Sequence, residues 1–310
     1  MIATLTLNPA IDKSSEIEKL IPEKKMRCAE LQVDAGGGGI NVSKAIHELG
    51  EESIAIFPCG GVNGDLLKKV LNKNNIKNIT IPISGNTRES FAIDEINAGK
   101  QFRFVFPGPE LSVADQTAIK KTIAELNNIS YLVCSGSLPP GVNSNFIGEI
   151  ASIAKKKHIK MVVDISGPAL KNVLDEGVFM LKPNMTELCT LANMDHIDTM
   201  EIDLVADKII SSGKCEILVI SMGAGGALLI TKTIKKRVIA PLVKKISTVG
   251  AGDSMVAGIV WMIEKGESPE KAVQFGVACG SAATINRGTR LFKKEDAFRF
   301  YQWIEKQSSL

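Results

Sequence analysis

Short runs of β-branched and aliphatic residues recur at 2–7, 54–57, 131–134, 161–163 and 217–220, and each stops at glycine, proline or a polar residue. Such runs read as buried strands. Helical patterns lie between several of them: Val42, Ala45, Ile46 and Leu49 share one helical face, and Gly50 follows as a C-terminal cap. Alternation of this kind predicts an α/β fold, a largely parallel sheet with helices on both faces.

Two early segments break the alternation. Residues 12–34 are charged and extended, and 87–106 contain Ser90-Phe-Ala-Ile-Asp-Glu-Ile96 and Gln101-Phe-Arg-Phe-Val-Phe106. Both read as antiparallel strands. A flap inserted into an α/β body is expected to serve as a lid, and its exposed apolar face to pair with a second subunit as a homodimer. Apolar residues make up 45% of the 310 and charged residues 23%, enough for a substantial core. The expectation is one domain over 1–310, with the lid formed by 12–34 and 87–106 inside it. The tail after Tyr301 is expected to fray.

The net charge of +3 is spread along the chain with no long run of one sign, which argues against a nucleic-acid partner. The six cysteines form no Cys-x-x-Cys pair, so neither a zinc site nor a disulfide framework is expected. His47, His158 and His196 share no ligand spacing. The first residues lack a basic start and a small-residue cleavage site, and no apolar stretch is long enough to cross a bilayer, so a cytoplasmic protein is expected.

The strongest chemical signal is Gly250-Ala-Gly-Asp253, followed by Met255-Val-Ala-Gly-Ile-Val-Trp-Met-Ile263, which reads as a buried helix ending near Gly266. The start of such a helix offers unpaired N–H groups and a positive dipole end to an anion, and glycines let phosphate oxygens approach the main chain. Asp253 stands where a carboxylate could take a proton from a hydroxyl attacking phosphorus. Read alone, the tetrapeptide is more often an ordinary N-cap. Upstream, Asp34-Ala-Gly-Gly-Gly-Gly-Ile-Asn-Val42 leads glycines directly into a helix, as a ligand loop or a flexible turn would. It matches neither the P-loop nor the dinucleotide-binding fingerprint.

Four segments then fall in one order: Gly36-Gly-Gly-Gly-Ile-Asn-Val42, Ser135-Gly-Ser-Leu-Pro-Pro-Gly141, Lys182-Pro-Asn-Met-Thr-Glu187 and Thr248-Val-Gly-Ala-Gly-Asp-Ser254. Together they resemble the PfkB (ribokinase-like) family of carbohydrate kinases nearly end to end, nearest to its bacterial 6-phosphofructokinase branch. The resemblance implies a ribokinase-like fold with a small antiparallel β lid. It implies Asp253 as catalytic base, with Gly250, Ala251 and Gly252 as the anion hole. It places Lys182, Asn184, Ser221, Gly223 and Gly226 at ATP, and Glu187 and Asp164 near magnesium, through water. Asn184 with Glu187 is also a capping-box pattern, and Ser221 to Gly226 could be only a tight turn.

For the sugar phosphate the resemblance implies Asp12, Gly37, Gly38, Asn41 and Ser137, with Lys25, Arg27, Arg88 and Arg103 as cations of the lid segments. Each of those four alone reads as a solvated surface charge. A potassium ion is implied at Ser247, Val249, Ala283, Asn286, Gly288 and Arg290, mainly through carbonyl oxygens. Related 1-phosphofructokinases and tagatose-6-phosphate kinases usually carry lysine where this chain has Gly38, which favours transfer from MgATP to the 1-hydroxyl of fructose 6-phosphate. The alternatives are those two sister activities and a catalytically silent nucleotide-sensing protein.

Overall fold

The computed structural model describes residues 1–287 and 289–308, apart from the side chains of 199 and 200. The chain runs β1 (Ile2–Leu5), β2 (Ala10–Ile17), β3 (Gln32–Gly36), α1 (Gly38–Glu48), β4 (Ser53–Cys59), α2 (Gly61–Lys73), β5 (Asn78–Pro82), β6 (Arg88–Glu95) and β7 (Lys100–Val105). It continues through α3 (Val113–Glu125), β8 (Tyr131–Gly136), α4 (Phe146–Lys156), β9 (Lys160–Ile165), α5 (Ala169–Glu176), β10 (Val178–Leu181), α6 (Met185–Ala192), α7 (Thr199–Ser211) and β11 (Cys215–Ser221). Last come β12 (Ala227–Ile230), β13 (Lys235–Val238), α8 (Ala251–Glu264), α9 (Pro269–Thr284) and α10 (Lys294–Ser308).

Nine strands form one sheet in the order β13-β12-β11-β10-β9-β8-β1-β4-β5. From β5 to β11 every pairing is parallel, and the hairpin of β12 and β13 closes one edge antiparallel. Each run expected as a strand lies in this sheet. The strands β5, β10, β12 and β13 were not expected; all are short, five residues or fewer, which leaves little room for a period to register. The chain leaves β1 toward β4 on one side and returns to β8 on the other. In open α/β sheets the crevice beyond the carboxyl ends of the strands, at such a reversal, is where ligands bind.

Both faces are covered. One core gathers Leu132, Phe146, Ile150, Val163 and Leu218 under α3, α4, α5 and α7, and the other gathers Val42, Ile46, Val219, Val256 and Phe275 under α1, α8, α9 and α10. In α8 every residue from Ser254 to Val260 is buried, as for a helix apolar on all sides. Gly50 follows α1 with φ of 89° and takes the C-terminal position expected of it. As far as the described residues reach, the expected fraying after Tyr301 is not seen: α10 continues to Ser308, because Ile304 is buried and Gln274 Nε2 donates to Ser308 Oγ at 2.8 Å.

The lid is a separate four-stranded sheet in the order β3-β2-β6-β7. Its outer pairs, β2 with β3 and β6 with β7, are antiparallel hairpins, as expected, whereas the central pair β2 and β6 runs parallel from Ala10↔Arg88 to Ile17↔Glu95. Both central strands leave the body side by side, one just past Asn8 and the other past Thr87, so they point the same way. Among the described residues no helix is long and apolar enough to cross a membrane.

Candidate active site

The reversal of strand order brings the ends of β1 and β8 and the starts of α1 and α8 together. α8 begins where it does because Gly250 adopts a left-handed conformation (φ 71°), and a Cβ there would lie 2.5 Å from Leu291 Cδ2. No side chain caps this helix, and among the described residues the N–H groups of Gly252 and Asp253 are bonded to no acceptor. Unpaired N–H groups at the positive end of a buried helix can receive an anion.

Asp253 is not the cap of its own helix. Its Oδ2 accepts from Asn41 Nδ2 at 2.9 Å and its Oδ1 from Ser135 Oγ at 3.1 Å, so the carboxylate faces α1 and β8. Burial, helped by Asp164, pushes its pKa up to about 6, against the opposing pull of Asn41, Ser135 and Lys182. A carboxyl with that pKa is mostly ionised at neutral pH, where it could accept a proton.

Beside it lies a buried ion pair, Lys182 Nζ to Asp164 Oδ1 at 2.9 Å. A Cβ on Gly252 would stand 3.7 Å from that ammonium and 3.9 Å from Asp164 Oδ2, which sets the pair against the mouth of α8. Burial pulls the Lys182 pKa down, but Asp164, Glu187 and Asp253 outweigh it and the ammonium stays charged. The unpaired N–H groups of α8 are therefore flanked by a fixed cation.

The capping-box reading of Asn184 and Glu187 is realised: Asn184 N–H donates to Glu187 Oε2 and Glu187 N–H to Asn184 Oδ1, both at 2.9 Å. That box starts α6 and orients Glu187, whose pKa burial and Asp164 raise against the Asn184 hydrogen bonds. Ser221 N–H donates to Pro183 O at 2.9 Å and carries the Ser221 to Gly226 turn alongside Lys182 and Asn184. Gly223 faces open space, whereas Gly226 is packed on main chain, where a Cβ would meet Val238 O at 2.0 Å. Among the described residues no three His, Cys, Asp or Glu side chains form a metal cage. A donor set of Asp164 and Glu187 fits magnesium, which keeps its waters and phosphate oxygens and takes only one or two carboxylates.

On the other side of Asp253 the glycine run packs directly onto β1 and β8: Gly37 lies against Thr6, and a Cβ on Gly38 would fall 2.3 Å from Ser135 Oγ and 2.7 Å from Gly136 N. Asp12 stretches across Gly36, with its pKa raised by burial against the pull of Lys44, Arg88 and Arg103. Arg88 is pinned, donating through Nε and Nη2 to Asn8 O and through Nη1 to Phe106 O at 3.1–3.3 Å. One N–H on each terminal nitrogen remains for a ligand. Arg103 is exposed and lines a small pocket with Asp12, Val249 and Thr289. Ser137 accepts from Asn8 Nδ2 at 3.1 Å.

Lys25 and Arg27 are not brought to this cluster within one chain. They are exposed on the connection between β2 and β3, beyond Ile17, and are not among the cations that act on Asp12. Five residues of strand separate Asp12 from that tip, roughly 17 Å.

Of the residues expected at potassium, Ser247 and Val249 run beside the end of α9: Ser247 N–H donates to Thr284 O at 3.1 Å and Val249 N–H to Ser247 Oγ at 3.2 Å. Asn286 N–H donates to Ala283 O at 3.2 Å. Arg290 is exposed in a groove with Glu16, Glu30 and Arg287, facing the lid, and Gly288 lies outside the described residues. Three residues at the site were missed from sequence: Ser135, Lys44 and Asn8. Ser135 had a signal, because it opens the Ser135-Gly-Ser137 segment in which only Ser137 was singled out.

The model of the pfkB family carbohydrate kinases matches residues 4–296. The ATP-dependent 6-phosphofructokinase isozyme 2 of Escherichia coli (strain K12) is 39% identical over 306 residues, covering 98% of this chain and 99% of the relative. Crystal structures of the Escherichia coli phosphofructokinase-2, in complex with potassium and in complex with substrates and products, superpose with a TM-score of 0.94 at 39% identity over 98% of this chain and 99% of theirs. The 1-phosphofructokinase of Borreliella burgdorferi is 34% identical over 286 residues, 92% of each chain. A family match over almost the whole length, on a fold that assembles the four motifs around one helix mouth, places this chain in the PfkB family of carbohydrate kinases.

Proposed function

We propose that this chain transfers the γ-phosphoryl group of MgATP to the 1-hydroxyl of fructose 6-phosphate, giving fructose 1,6-bisphosphate and ADP. The observation that carries the reading is the Asp253 carboxylate, held by Asn41 and Ser135 beside the unpaired N–H groups of α8 and the Lys182 ammonium. Asp253 takes the proton of the attacking hydroxyl as its oxygen bonds to the γ-phosphorus and the bond to the β-phosphate oxygen breaks. The Gly252 and Asp253 N–H groups and Lys182 stabilise the charge on the transferring group. Asp164 and Glu187 would hold magnesium through water, and the ion would neutralise charge on the phosphates when bound.

Asp12, Asn41 and the main chain at Gly37 and Gly38 orient the sugar, and Arg88, Arg103 and Ser137 receive its phosphate. Ser221, Gly223, Asn184 and Lys182 face the nucleotide. Carbonyl groups at Ser247, Val249, Ala283 and Asn286 would suit a potassium ion, such as the Escherichia coli relative carries. The lid excludes water and thereby limits ATP hydrolysis. Its edge strand β7 exposes Phe102, Phe104 and Val105, a surface suited to a homodimer formed through the lids.

The second reading is the same chemistry on fructose 1-phosphate or tagatose 6-phosphate, which the Borreliella burgdorferi relative keeps in view. Gly38, where such enzymes usually carry lysine, speaks for fructose 6-phosphate; a side chain there would force β8 and α1 apart. The test is ADP release by the purified protein with MgATP and a panel of phosphosugars, fructose 6-phosphate competing with tagatose 6-phosphate. Fructose 6-phosphate should be used with the highest kcat/KM. A higher value for another phosphosugar would move the assignment to it, and no sugar-stimulated release at all would refute a kinase.

A further inference from the structure

The roles proposed above leave the hydroxyl of Ser135 unused. It is buried, 3% exposed, at the carboxyl end of β8, and its bond to Asp253 Oδ1 joins residues 118 apart in the chain. The opposite oxygen of the same carboxylate is held by Asn41 from α1. Rotation of a carboxylate about its last bond is soft, with no deep staggered wells to fix it. Two donors on two different elements, one to each oxygen, set that rotation and leave the remaining lone pairs for an incoming proton. The close approach of Gly38 shows that room for this hydroxyl depends on a missing side chain, since a Cβ there would lie 2.3 Å from it.

We propose that Ser135 is a positioning residue for the phosphoryl transfer, acting through Asp253: its O–H holds Oδ1, so that the base meets the acceptor hydroxyl in one orientation. This rests on the reading of Asp253 as the base. A serine has a single proton to donate, and here it is committed to the carboxylate rather than to a substrate. The other groups that face Asp253 are Asn41, Asp164 and Lys182; none of them replaces a donor at Oδ1.

The experiment is steady-state kinetics of Ser135→Ala, alone and combined with Asp253→Asn, on the intact protein. A hydrogen bond to a charged group, once removed, predicts a fall in kcat of about tenfold to a hundredfold with both KM values within about twofold. The acidic limb of the kcat profile should move to higher pH, because a donor that favours the ionised carboxylate is gone. On the Asp253→Asn background the serine change should cost nothing further. Ser135→Cys, similar in shape but a weak donor, should lose most of the same activity, and a preserved melting temperature checks that both variants fold.

A kcat within twofold of the parent overturns the proposal. So does a rise in the sugar KM in place of the kcat loss, or a second full loss on the Asp253→Asn background, either of which would give Ser135 a role that does not pass through the base. Full activity of Asp253→Asn by itself would instead overturn the assignment of the base.

Discussion

Replacing Asp253 with asparagine should remove turnover and at the same time stabilise the fold, and the second effect depends on pH. In the folded chain burial and Asp164 lift this carboxyl from 3.8 to about 6. Above pH 6 the group is charged both folded and unfolded, so the folded state bears the full cost of holding the charge. Between 6 and 3.8 the folded state binds the proton first, so stability rises as pH falls through this window, and below it the cost is gone. Roughly two pKa units at about 1.4 kcal/mol each set an upper limit near 3 kcal/mol, and partial solvent access lowers this to about 1–3 kcal/mol. The isosteric amide carries no charge, so Asp253→Asn should melt about 2–5 °C higher than the parent at pH 8, with the difference vanishing near pH 4. Thermal melts across that range, with kinetics at pH 8, make the test. Turnover should fall by about a hundredfold to ten-thousandfold while MgATP still binds. The parent's kcat should decline with unit slope below about pH 6. Equal or lower stability of the variant at pH 8 would refute the electrostatic account, and turnover within tenfold of the parent would refute the base.

Three further outcomes follow from the geometry. Lys182→Met should lower stability by about 3–5 kcal/mol in denaturant titrations, because it leaves Asp164 without its buried partner; a loss under 1 kcal/mol would mean that water already screens the pair. Arg88→Lys keeps the charge but not the fork that grips Asn8 O and Phe106 O, so the fructose 6-phosphate KM should rise about tenfold or more, and an unchanged KM would exclude Arg88 from the phosphate site. Phe102→Asp with Phe104→Asp should turn a lid-paired dimer into monomers in sedimentation velocity; an unaltered mass would place any subunit contact elsewhere.

Sequence by itself determined what depends on near neighbours. The alternation of apolar runs with helical faces specified the α/β class, because burial on a sheet or helix imposes a period on residues close in the chain. The unbroken apolar stretch after Asp253 specified a buried helix, and Asn184 with Glu187 specified a helix start, since a capping box closes within three residues. The partners of Asp253 were of another kind. Asn41 and Ser135 reach Asp253 from 212 and 118 residues away, and only the order of strands, with β1 between β4 and β8, brings them together. The tertiary structure likewise decided that the two lid hairpins join in parallel, and that Lys25 and Arg27 stand at the far end of β2 rather than beside Asp12. Local periodicity reports which side of an element is buried but not which element lies against it, and that choice is made by the packing of the whole chain.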